Sequence, residues 1–72
     1  MKAADIEALI KSGMPDAQVN VTGDDGQHFE ASVISPAFAG KPLLAQHRMV
    51  YATLGDRMGR DIHALKLVTR AP

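Results

Sequence analysis

Gln46-His47-Arg48-Met49-Val50-Tyr51, followed downstream by Ile62-His63-Ala64-Leu65-Lys66-Leu67-Val68-Thr69, sets a helical pattern ahead of a strand pattern. Around the first run, Leu43, His47, Val50, Leu54 and Met58 recur every three or four residues, and Leu44 and Tyr51 widen the stripe. That spacing predicts a helix opened by Pro42, with Gly55 and Gly59 weakening its last turns. The second run is rich in aliphatic residues and predicts a strand. Period 2 would put His63 on the face of Leu65 and Leu67, with Ile62, Ala64 and Lys66 on the other.

Upstream, Ile6, Leu9 and Ile10 keep helical spacing, and Asp5 and Glu7 sit near the start, where the helix dipole favours acids. Gly13 is expected to stop this helix, with Met14-Pro15-Asp16 leading out of it. Val19 and Val21 alternate with polar residues, as do Phe29, Ala31 and Val33, and Gly23-Asp24-Asp25-Gly26 joins the runs as an antiparallel hairpin. Ser35-Pro36 reads as an N-cap with proline at the first helical position, and Gly40 closes that short helix. The long helix-bearing connection to the last strand permits a parallel crossover. The expectation is one α+β domain over residues 1–72, in the order αββααβ, with helices on one face of a three-stranded mixed sheet.

Seventy-two residues, 46% hydrophobic, fit one small globular domain. A chain of this size buries only about 60% of its unfolded surface, which leaves no room for a deep catalytic cavity. No stretch approaches the roughly 20 apolar residues of a membrane span, and no signal peptide opens the chain, so a cytoplasmic address is expected. Cysteine is absent, which excludes disulfides, a thiol nucleophile and a thiolate metal site built by this chain alone. The net charge is zero but unevenly spread. Residues 1–36 hold two cations against six acids (net −4), and residues 37–72 hold six against two (net +4). Such a split either presents a basic face to a phosphate or acidic partner, or lets the halves complement each other within the fold.

Catalytic constellations are missing. The serines and threonines are scattered without an elbow motif, and the pair Asp24-Asp25 lies on an exposed turn, where desolvation cannot raise a pKa. Gly23-Asp24-Asp25-Gly26 has the glycine spacing of a phosphate clamp, but two acids would repel phosphate. Lys41, Arg48 and Arg57 could contact a nucleic-acid backbone. With one tyrosine and two phenylalanines, base-stacking platforms are scarce, so such binding should be weak and salt-dependent. The three histidines differ. His63 at the start of the last strand is either a hydrogen-bonded, partly buried residue or a metal ligand reaching outward. His28, at the far end of the turn, faces solvent if Phe29 faces the core. His47 falls on the apolar helical stripe and is expected to hydrogen-bond buried backbone.

Phe38-Ala39-Gly40, Gln46-His47-Arg48-Met49-Val50-Tyr51 and Ile62-His63-Ala64-Leu65-Lys66-Leu67-Val68-Thr69, together with Gly23-Asp24-Asp25-Gly26-Gln27-His28-Phe29, resemble the signature of the BolA-like family. The closest likeness is to its short-loop bacterial branch. The resemblance implies a fold related to the KH type II arrangement, although the connection Phe38-Ala39-Gly40-Lys41-Pro42-Leu43 lacks the GxxG clamp of KH domains. It also implies a non-enzymatic adaptor of iron–sulfur and iron handling that partners a monothiol glutaredoxin and shares a [2Fe-2S] cluster with it and with glutathione. No cluster is expected on the isolated chain, which would be a monomer or weak dimer. His63 matches the family's cluster-binding histidine. The second ligand would come from the β-turn region, where some branches carry cysteine; here His28 and, more weakly, Asp25 stand at about that place. The helix that usually closes the family's domain has no counterpart in these residues. DNA-binding regulation is the alternative the family offers.

Overall fold

The Asp5 side chain accepts the backbone N–H of Lys2 at 2.9 Å and so starts the first helix, α1 (Ala3–Gly13). The computed structural model describes all of residues 1–72. Ile6 and Ile10, one turn apart on α1, are fully buried. Two strands follow, β1 (Gln18–Thr22) and β2 (His28–Ile34), paired antiparallel with Val21 opposite Ala31. Ser35 is an N-cap, its Oγ accepting the Ala37 N–H at 3.1 Å, and a 3₁₀ turn over Pro36–Phe38 buries Phe38. Helix α2 (Leu43–Leu54) then returns the chain to β3 (Ala64–Arg70), which runs parallel to β2.

The strand order is β1-β2-β3, so β2 is central and β3 is an edge. Phe29, Ala31 and Val33 of β2 face the helices and join Ile6, Ile10, Phe38, Val50, Leu54 and Ile62 in one core cluster. The α+β class, the mixed three-stranded sheet and the parallel crossover are as the sequence predicts.

One local expectation holds and three are corrected. Helix α1 ends as expected at Gly13, which itself takes no left-handed conformation. Its lack of a side chain serves packing instead, because a Cβ there would lie 2.6 Å from Thr53 Cγ2 of α2. Helix α2 ends at Leu54, before Met58, because Gly55 takes a φ of 62°, which L side chains disfavour. The stripe on α2 is narrower than its periodicity implies. Val50 and Leu54 are buried, whereas Leu43 and Leu44 remain 59% and 62% exposed. Finally, β3 begins at Ala64 rather than Ile62. Ile62 precedes it in an isolated bridge with Met58 and is fully buried, so alternation does not extend back to His63, which is exposed.

Candidate functional site

The parallel register pairs His28 with Ala64, and the Ala64 N–H donates to the Gln27 carbonyl at 3.0 Å. This pairing brings the first residue of β2 beside the residue that precedes β3. The rings of His28 and His63 consequently meet edge to face, with centroids 5.5 Å apart and planes at 87°. Both are exposed, His28 with 62% of its side chain accessible, and Phe29 turns inward as expected.

Asp25 organises this pair. Its Oδ1 accepts the backbone N–H groups of Gln27 (2.9 Å) and His28 (2.8 Å), and its Oδ2 lies 2.8 Å from His28 Nδ1. Hydrogen bonds from the His28 backbone, the His28 ring and the Gln27 backbone, in that order, hold the Asp25 carboxyl well below the usual carboxylate range. An ionised carboxylate only accepts, so the proton on His28 belongs to Nδ1. The lone pair is thereby left on Nε2 of the exposed ring. A carboxylate that fixes the tautomer and orientation of a histidine is the usual support of a metal-ligating imidazole. Asp25 therefore orients His28 and has both oxygens engaged, which argues against it as a ligand. The sequence signal was an aspartate in a turn two and three residues before the N–H groups it caps.

No group of three or more ligating side chains forms anywhere in the chain. The donor set is two neighbouring imidazoles, one with a fixed tautomer. That set fits half of a shared coordination shell and cannot complete one.

His47 lies elsewhere, on α2. Its Nε2 is buried without a hydrogen-bond partner, so the expected bond to buried backbone is absent at that atom. Lys41 and Arg48 are exposed and free of ion pairs. Arg57 is half-buried, its Nη1 3.5 Å from the Leu54 carbonyl at the end of α2, so it is turned toward the helix terminus rather than outward. The Arg60–Asp56 ion pair and the His28–Asp25 hydrogen bond each lie within one half, so the opposite charges of the halves do not pair directly.

A two-layer α+β domain with a histidine pair at the start of its parallel strands is the class these features define. A family model described as BolA-like protein matches residues 2–72, and the chain belongs to the BolA-like family. Its structure superposes on a BolA homologue from Coxiella burnetii with a TM-score of 0.88 at 44% identity, covering 100% of this chain and 92% of that one. The XC975 protein is 56% identical, with a TM-score of 0.68 and 100% and 90% coverage. The DNA-binding transcriptional regulator BolA of Escherichia coli is 38% identical over 50 residues, 69% of this chain and 48% of that protein. SufE-like protein 1 of Arabidopsis thaliana is 43% identical over 51 residues, 69% of this chain but 14% of that protein. The matched region thus spans about half, or less, of the curated relatives' length.

Proposed function

We propose that this chain is a non-enzymatic adaptor that shares a [2Fe-2S] cluster with a monothiol glutaredoxin. The observation that carries this reading is the exposed His28–His63 pair, with Asp25 fixing the His28 tautomer, in a chain without cysteine. His63 and His28 offer imidazole nitrogen to one iron, and the partner's cysteine and glutathione supply sulfur to the other. When bound, a cluster ligated partly by imidazole has a higher potential than an all-thiolate one. Ligation requires the neutral ring, so protonation of His63 or His28 competes with it and makes release pH-coupled. The reading places the chain in the cytoplasm, as a monomer or weak dimer, in iron–sulfur homeostasis. No helix is long and apolar enough to cross a membrane.

A second reading, weak DNA binding, is favoured by two relatives named DNA-binding transcriptional regulator BolA, from E. coli and Vibrio cholerae. Lys41 and Arg48 would make the backbone contacts. Mixing the protein with a cluster-loaded monothiol glutaredoxin separates the two readings. Cluster sharing changes the visible absorption and circular dichroism at one equivalent; an unchanged spectrum, alongside salt-sensitive retention on DNA, favours the regulator.

A further inference from the structure

Strand β3 has one bonded side and one open side. The Ala64 N–H donates to Gln27, and the Arg70 carbonyl accepts the Ser35 N–H at 3.1 Å, which fixes the phase of the parallel ladder. Ala64, Lys66, Val68 and Arg70 direct their backbone groups at β2. Leu65, Leu67 and Thr69 direct theirs away from it, and no further strand lies there. The edge runs seven residues with continuous register and no proline. Such an edge is a ready template for another chain unless something protects it.

The side chains around this edge define what suits it. Lys66 and Arg70 stand exposed on the face away from the helices, flanking Val68, which is also exposed, and neither is in an ion pair. Glu30 is the register partner of Lys66 on β2 but forms no ion pair with it. On the helix side, α2 packs over β3, and the Thr69 hydroxyl donates to Gln46 Oε1 at 2.8 Å.

A second copy of this chain is a poor occupant. In the antiparallel registers centred on the strand, Lys66 meets a cation of the other copy either directly opposite or diagonally, and like charges so placed are destabilising. We infer that the open edge of β3 docks an extended segment of a partner protein with acidic side chains at alternate positions. Its backbone pairs with Leu65, Leu67 and Thr69, and its acids meet Lys66 and Arg70. This is strand addition with charge-selected register. It does not rest on cluster sharing.

The test uses the isotope-labelled full chain with the peptide acetyl-(Glu-Val)3-Glu-amide and its lysine counterpart, acetyl-(Lys-Val)3-Lys-amide. With the acidic peptide at millimolar concentration, amide exchange at Leu65, Leu67 and Thr69 slows at least tenfold; with the basic one it does not change. The exposed double change Lys66→Glu/Arg70→Glu, checked for folding by circular dichroism, abolishes that protection and confers it with the basic peptide. Four results would overturn the inference: no protection at those amides, equal protection by both peptides, undiminished protection of the double variant by the acidic peptide, or edge amides already protected in a free chain that sediments as a dimer.

Discussion

Replacing Gly13 by alanine probes the contact that sets α2 against α1. The new Cβ would lie 2.6 Å from Thr53 Cγ2, 3.0 Å from Thr53 Cβ and 3.6 Å from Thr53 Cα, so a shift of α2 is needed and not only a rotation of one side chain. Overpacking of this kind costs about 1–3 kcal/mol. Alanine returns up to about 1 kcal/mol of helix propensity over glycine, less at the final helical residue. The net expectation is a loss of about 1–2 kcal/mol, or a fall in Tm of about 5–15 °C for a domain this small. Thermal and urea melts measure it. Adding Thr53→Ala removes the 2.6 Å contact but leaves the one at 3.0 Å, so the double variant should recover part of the loss, with a coupling of about 1 kcal/mol. Gly13→Ala melting at or above the wild type, without coupling to Thr53, would refute this account of how the helices meet.

His47→Leu removes a buried nitrogen that lacks a partner, and leaving such a group unpaired costs about 1–3 kcal/mol. A urea melt should show stability unchanged or raised by about 1 kcal/mol; a clear loss would mean that the ring makes a bond worth keeping, for example to a buried water. Asp25 has a depressed folded pKa, so its contribution is present above the ordinary aspartate value of about 3.9 and is lost only as pH falls through the lower folded value. Carbon-detected NMR should place its midpoint well below 3.9, and a midpoint at the ordinary value would contradict the three hydrogen bonds. Any DNA affinity should weaken uniformly across sequences on Lys41→Glu/Arg48→Glu and fade with salt, as measured by fluorescence anisotropy. Sequence-selective binding that survives the double change would count against phosphate contact through these residues.

Local chemistry was well written in the sequence. The glycine-bounded turn, the Ser35-Pro36 cap and the alternation of β2 each predict the observed element, because each depends on neighbours along the chain. The meeting of His28 and His63 was less legible, since it follows from a parallel register between strands far apart in sequence. Period 2 also misled at Ile62 and His63, where the chain is still turning and not yet extended. On α2, periodicity could not tell which apolar residues the two-layer fold would leave outside: Leu43 and Leu44 carry the pattern, yet Val50 and Leu54 carry the burial. Gly13 marks the end of α1 as read, but its packing role was not legible, because its partner, Thr53, lies on another helix.

The histidine pair is the centre of the functional account, and one spectroscopic comparison tests it most directly. Wild-type protein, His63→Ala and His28→Ala are each mixed with cluster-loaded monothiol glutaredoxin, and visible circular dichroism is recorded beside a thermal melt of each variant. Both histidines are exposed, so the variants should melt near the wild type. The account predicts that His63→Ala abolishes the mixed-cluster spectrum and that His28→Ala weakens or alters it. A wild-type spectrum from His63→Ala, with the fold intact, would contradict the claim that this pair holds the shared cluster.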